Sequence, residues 1–313
     1  MQYNTGVTKY YGGNIAYQVF SRKHPTGASV SGTYSYTYDG LNRLVTGTMA
    51  ESRGREILTY DRNGNIRTLR RTSELGVTVD SLLYGYTGNR VTTVNDRSTN
   101  ASAGFMLRGV TTYTPDANGN ITKRVNGTSP GDDITNTVYN YLNLPQTVTA
   151  SGATVTYTYD GRGRKLRSVN GINGQTRDYV DGIEYYNGTL ELIGMPEGRI
   201  LKSGTIYKYE YMLKDHLGNA RSSFTGSAGT TATFGMDYYP FGLQYPGNMA
   251  TGSPKNNYLY NGKELQDRLK LYDYGARFYD PVIGRWGTML GCLSIFPMDH
   301  LLDHLVVPSR PDQ

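Results

Sequence analysis

Polar and apolar residues alternate one for one through much of the chain. In Thr33-Tyr34-Ser35-Tyr36-Thr37-Tyr38, and again in Thr154-Val155-Thr156-Tyr157-Thr158-Tyr159, every second position is tyrosine or a branched apolar residue. A period of two places those side chains on one face of an extended strand. The runs end in Asp-Gly, Asn-Gly or Gly-Asn, whose residues accept the positive φ of tight hairpin turns. A branched residue (Ile66, Val91, Ile121 or Leu166) then reopens the alternation. The pattern predicts one hairpin after another. Long amphipathic runs capped at both ends do not occur before residue 260.

The hairpins repeat a motif. It reads Tyr38-Asp39-Gly40-Leu41-Asn42-Arg43-Leu44, then Tyr60-Asp61-Arg62-Asn63-Gly64-Asn65-Ile66, then Tyr86-Thr87-Gly88-Asn89-Arg90-Val91. It returns as Tyr113-Thr114-Pro115-Asp116-Ala117-Asn118-Gly119-Asn120-Ile121 and as Tyr159-Asp160-Gly161-Arg162-Gly163-Arg164-Lys165-Leu166. Successive spacings from Tyr38 to Tyr113 are 22, 26 and 27 residues. A period in this range marks supersecondary units stacked into an array.

Composition sharpens this picture. The chain has 29 Tyr against 7 Phe and 1 Trp, so its sheet faces are expected to border water, each hydroxyl finding a partner. Thirty-nine glycines and a hydrophobic fraction of 37% fit turn-dense β architecture. The net charge is +6, but the arginines are scattered and form no basic stripe, so no nucleic-acid partner is expected. One cysteine, Cys292, excludes an internal disulfide. Met1-Gln2-Tyr3-Asn4-Thr5 is not a signal peptide, and no apolar stretch approaches the roughly 20 residues of a membrane helix. Neither the nucleophile-elbow nor the phosphate-loop motif occurs.

The Tyr-Asp repeats resemble those of the RHS/YD-repeat proteins, and the last third sharpens the match. Asp215-His216-Leu217-Gly218-Asn219-Ala220-Arg221 is similar to the opening of that family's repeat-associated core domain. Tyr238-Tyr239-Pro240-Phe241-Gly242 and Tyr258-Leu259-Tyr260-Asn261-Gly262-Lys263-Glu264 resemble its middle segments. Tyr272-Asp273-Tyr274-Gly275-Ala276-Arg277-Phe278-Tyr279-Asp280-Pro281, followed by Gly284-Arg285-Trp286, resembles its closing signature. The resemblance implies an all-β fold in which tandem YD-repeat hairpins form part of a curved or spiralling β-shell, closed by the core domain. On this division residues 1–208 are a shell segment cut off at its N-terminal edge, and 209–286 are the core domain. Residues 287–313 are then a divergent tail, from a frameshift or a truncated gene end.

The function implied is encapsulation and delivery of a C-terminal toxin segment by a secreted or cell-surface protein. The partners implied are the rest of the shell, the payload, and immunity or secretion-apparatus proteins. No cofactor or metal is implied. The alternative is a carbohydrate-binding β-repeat module whose tyrosine rings, Tyr157 and Tyr159 among them, stack on sugars.

Family members cut themselves with a pair of aspartates near an Asp-Pro that follows the Gly-Arg-Trp. Here Gly287-Thr288-Met289-Leu290 stands in that place, so self-cleavage is not expected. Asp273 and Asp280 are the available carboxylates, since such chemistry needs two acids with split pKa values. The stronger reading is the plainer one, that an Asp before Pro281 in a glycine-rich turn is an ordinary turn residue. Arg277 and Arg285 either stack on Tyr279 and Trp286 and pair with Asp273 or Asp280, or are solvated turn residues. His300 and His304 have the i,i+4 spacing of metal ligands on a helix, but Leu301 rules out the metalloprotease motif.

Overall fold

The computed structural model describes residues 2–3, 10–23, 29–49, 54–73, 75–99, 104–105, 109–126, 133–150, 152–225, 231–245, 249–250 and 254–288. The alternation becomes strands as expected. They begin with β1 (Gln2–Tyr3), β2 (Tyr17–Lys23), β3 (Ser29–Tyr38), β4 (Leu44–Met49), β5 (Arg55–Tyr60), β6 (Ile66–Thr72), β7 (Thr78–Thr87) and β8 (Arg90–Asp96). Next come β9 (Gly109–Pro115), β10 (Ile121–Asn126), β11 (Ile134–Tyr139), β12 (Pro145–Ala150), β13 (Ala153–Tyr159), β14 (Lys165–Asn170) and β15 (Thr176–Val180). The large sheet ends with β16 (Ile183–Tyr186), β17 (Thr189–Met195), β18 (Gly198–Ser203), β19 (Ile206–Lys214), β20 (Ala220–Thr225), β21 (Thr231–Gly235) and β22 (Met249–Ala250). These 22 strands form one sheet in which each strand pairs antiparallel with the next.

The sheet is not closed into a barrel. It curls so that β2 comes against β20 and β21, but among the described residues no ladder joins its two ends. It also runs without a break through residue 209, where the core domain was expected to begin.

A second, four-stranded sheet lies against the concave face: β23 (Glu264–Gln266), β24 (Leu271–Asp273), β25 (Phe278–Asp280) and β26 (Arg285–Trp286). Four apolar clusters pack against the concave face. The first gathers Leu58, Leu69, Leu82, Tyr84 and Val94 around Ile283. The second joins Ala220 to Phe234, Leu259, Tyr272 and Tyr279. The third joins Val148, Val155 and Tyr157 to Leu269 and Phe278, and the fourth joins Phe20, Tyr34 and Met49 to Tyr239 and Tyr245. Every cluster therefore takes residues from beyond 230. The alternating strands have a wet outer face, whereas much of their inner face is covered by residues between 234 and 288.

Candidate functional site

The Tyr-Asp motif builds the rim of the sheet. In each turn the aspartate N–H donates to the carbonyl four residues on, and the N–H three residues on donates back, as in Asp39, Asp61, Asp116, Asp160 and Asp215. One carboxylate oxygen also accepts backbone N–H groups two and four residues on, from Asn63 and Asn65 to Asp61 and from Arg162 and Arg164 to Asp160. The other oxygen is clasped by the side chain four residues on: Arg43 (2.7 Å), Asn65 (2.9 Å), Asn120 (2.9 Å), Arg164 (2.7 Å) or Asn219 (2.8 Å). This is why Asn or Arg stands at that position.

Two expectations about these turns need correction. The left-handed residue is the fourth of the turn, namely Asn42, Gly64, Gly119, Gly163 or Gly218, whereas Gly40 and Gly161 are not left-handed. The loops are therefore turns followed by a bulge residue, and only Thr87–Arg90, with Gly88 leading, is a two-residue loop of the five. A sixth copy, Tyr139-Asn140-Tyr141-Leu142-Asn143-Leu144, was missed because Asn replaces Asp and Leu144 replaces the clasping residue. Its Asn140 still accepts from Leu142 and Leu144, and its Asn143 is left-handed.

The motif tyrosine ties each copy to the one before. The hydroxyls of Tyr38, Tyr60, Tyr86, Tyr139 and Tyr159 donate to the carbonyls of Ile15, Leu44, Ile66, Ile121 and Pro145 at 2.6–3.0 Å. Tyr113 is not part of this series. Pro115 occupies the position before Asp116, and Tyr113 turns inward, buried, with no hydrogen-bond partner for its hydroxyl. Between turns run lateral bonds: Asn14 to Asn42, Arg43 to the Asp61 carbonyl, Asn63 and Asn65 to Asn89, Asn118 and Asn120 to Asn143, and Arg164 to Asp181. The rim is thus a seam of polar links from copy to copy.

The inner face carries a second system. Residues 254–288 form a strap that crosses the concave side and is fastened by buried cations. Arg199 on β18 donates to the Pro254 and Lys255 carbonyls (2.7 and 3.2 Å) and pairs with Glu210. Lys165 on β14 lies between Glu264 and Asp273, 2.6 Å from each. Arg124 on β10 pairs with Asp280 at 3.0 Å. Arg71 on β6, wholly buried, pairs with Glu56 (2.7 Å) and Asp80 (2.9 Å) and donates to the Pro281 and Val282 carbonyls. As the strap advances from 254 to 282, its anchors retreat through β18, β14, β10 and β6. Its four cationic anchors thus step back through the sheet at every fourth strand, while between the first two of them residues 259–261 turn aside to the start of β20.

Further bonds complete the fastening. Tyr84 donates to the Ile283 carbonyl, Tyr239 to the Thr72 carbonyl, and the Ile121 N–H to the Gly287 carbonyl. Arg221 pairs with Asp215 and Asp237. In the middle segment Gly242 sits at φ +86°, where a Cβ would come within 2.5 Å of the Tyr260 ring. Asn261 is left-handed, donates to the Leu217 carbonyl and accepts from Tyr274. Gly262 closes its turn by donating to the Leu259 carbonyl, and the Gly275 N–H donates to Asp273.

Asp273 and Asp280 are therefore not brought together as an acid pair, since each is held by its own cation on a different strand. Arg277 does stack on Trp286, 4.0 Å from its ring. Arg285 reaches the sheet instead of an aspartate, donating to the Tyr86 hydroxyl (3.0 Å) and the Asn89 carbonyl (3.1 Å). His216 stands exposed on the outside of its turn. Of the rings named for sugar stacking, Tyr157 is 2% exposed and bonded to Gln266, whereas Tyr159 is half-buried with its hydroxyl donating to the Pro145 carbonyl. Cys292, His300 and His304 lie outside the described residues. Among the described residues there is no cluster of three or more His, Cys, Asp or Glu suited to a metal, and no helix long and apolar enough to cross a membrane.

No protein-family profile matches the chain. It is 24% identical over 254 residues to salivary gland surface protein 1 of Aedes aegypti, a match that covers 79% of this chain and about 6% of that protein's length. Among solved structures it is similar to the TcdB2-TccC3-Cdc42 crystal structure, with 17% identity and a TM-score of 0.42 over 87% of this chain and 19% of the other. It is also similar to a chain of the Photorhabdus luminescens Tc holotoxin pore, with 17% identity and a TM-score of 0.43 over 88% and 19%.

Proposed function

We propose that this chain is a length of container wall of the RHS/YD type, with its own internal strap, serving to enclose a polypeptide outside the cell. The observation that carries the reading is the retracing strap. Buried cations tie it across the concave face, while among the described residues no further strand pairs with either end of the sheet. In a repeat sheet of this kind each hairpin packs on its neighbours, so an open end is a surface on which a further hairpin can pair. The clamped aspartates have a structural role in this reading, and no catalytic step is assigned to them.

These ends make the reading testable, since open strand edges are templates for further pairing. In sedimentation velocity across the micromolar range, the whole chain is expected to associate as its concentration rises. A single monomeric species throughout would overturn the wall reading.

A further inference from the structure

The four cationic anchors of the strap differ in one chemical respect. Arg199, Arg124 and Arg71 are guanidiniums, whereas Lys165 is a primary amine, a nucleophile once it gives up its proton. Its nitrogen lies 2.6 Å from Asp273 Oδ2 and 2.6 Å from Glu264 Oε2. The two acids stand directly opposite each other on β24 and β23, so both carboxyls meet the amine from one face. The side chains of Lys165, Glu264 and Asp273 are only 11, 9 and 7% exposed. The ring centres of Tyr179 and Tyr157 lie 4.3 and 6.0 Å from the nitrogen.

Each acid is held for a different task. Asp273 Oδ1 accepts from the Gly275 N–H at 2.8 Å, the distance of a donor that stabilises charge growing on a carbonyl oxygen. Its Oδ2 faces the amine. Glu264 Oε1 accepts from the Tyr179 hydroxyl at 2.9 Å, which leaves Oε2 on the amine as a proton acceptor. Burial raises the Glu264 carboxyl above its ordinary value against the pull of Lys165, and so brings it nearer the range of a proton shuttle. Burial lowers the Lys165 ammonium, but Asp273 and Glu264 outweigh it and hold it above its ordinary value. The resting state is therefore an ion pair, and reaction begins with a proton transfer.

Charges buried in this way are costly, and condensation removes two of them. Holding amine and carboxyl in contact also replaces an encounter in solution, and such fixed pairs reach effective concentrations on the order of 10⁵–10⁸ M. The same burial keeps out the water that would reverse the bond.

We propose that Lys165 and Asp273 join in an amide bond between the large sheet and the strap, with Glu264 as the catalytic acid–base. Nζ passes one proton to Asp273 Oδ2 and attacks Cγ, so that the N–C bond forms. Glu264 takes a second proton from the nitrogen and returns it to Oδ2, and the Cγ–Oδ2 bond breaks to release one water. The balance is ammonium and carboxylate giving amide and water, with Glu264 ending as it began. The inference needs only residues of this chain and stands apart from the wall reading.

The test is the intact mass of the purified whole chain under denaturing conditions. It is expected to fall one water short of the sequence mass, and trypsin should release residues 165–167 joined to residues 271–277. A full sequence mass would overturn the bond, and a join to residues 264–268 would overturn the choice of Asp273. Lys165→Arg keeps the charge but cannot form this amide, so it should regain the missing water. A water loss that persists in that variant comes from an Asp-Gly turn such as Asp160-Gly161 closing on itself, and it too overturns the bond. Glu264→Gln should stay unjoined at unchanged strand content by circular dichroism, and joining in that variant would remove Glu264 from the chemistry. Sedimentation and mass separate the two readings. A strict monomer lacking one water refutes only the wall, and association at full mass refutes only the bond.

Discussion

At the scale of single residues, the same side-chain type does opposite work a few positions apart. Arg70 lies on the outer face and donates to Thr78, whereas Arg71 is wholly buried among two carboxylates and two strap carbonyls. Removing one member of a buried ion cluster strands the others, at about 3–5 kcal/mol. Arg71→Met should therefore lower urea-unfolding stability by about that much, and Arg70→Met by about 0.5 kcal/mol or less. The rim aspartates give a pH dependence. Asn65 donating to Asp61, and Arg164 donating to Asp160, together with turn N–H groups, hold both carboxyls below the usual range. Folded values below unfolded ones mean that the stabilisation is present above the unfolded value of about 3.9 and is lost as pH falls through the folded value. Hydrogen exchange at the N–H groups of Asn63, Asn65, Arg162 and Arg164 should thus lose protection below about pH 4 before the strand interiors do. Equal loss everywhere would show that these bonds do not hold the turns.

At the scale of the element, the hairpins were legible in the sequence because alternation and turn chemistry agree, as in Thr154–Tyr159 followed by Asp160-Gly161. The copy at Tyr139 was not, because Asn140 and Leu144 keep the turn geometry while changing its letters. Nor was the inward turn of Tyr113, which depends on Pro115 taking the motif position. Asn143 at φ 58° tests the turn. Asn143→Gly keeps the left-handed conformation and loses only the seam bonds to Asn118 and Asn120, whereas Asn143→Val also strains the backbone by roughly 1–2 kcal/mol. Thermal unfolding should rank wild type above Gly and Gly above Val. Tyr60→Phe, losing the bond to the Leu44 carbonyl, should cost about 1 kcal/mol in the same assay. A loss near zero would mean that water replaces that bond.

At the scale of the whole molecule, a meander of local pairings is read easily, but the strap is not. Its anchors join residues about 55 to 210 positions apart, and nothing in Ile66–Thr72, where two adjacent arginines break the alternation, marks Arg71 as the one that meets Pro281. Buried cations on polar-looking strands were therefore invisible until the curl of the sheet brought them to the strap.

The strap is in effect a chord drawn beneath an arc. Neighbouring hairpins joined by backbone ladders can still twist and bend relative to one another, as sheets do. A chord pinned beneath every fourth strand sets how far the arc bends. The ladders and the seam then supply cohesion and the chord supplies radius. Between Asp273 on β14's cation and Asp280 on β10's, the β24–β25 ladder sets one chord length. Unpinning one point with Arg124→Gln, which frees Asp280, should slacken the curve without breaking a hairpin. Small-angle scattering would show a larger radius of gyration at unchanged β content. An unchanged radius would place the curvature in the twist of the strands themselves.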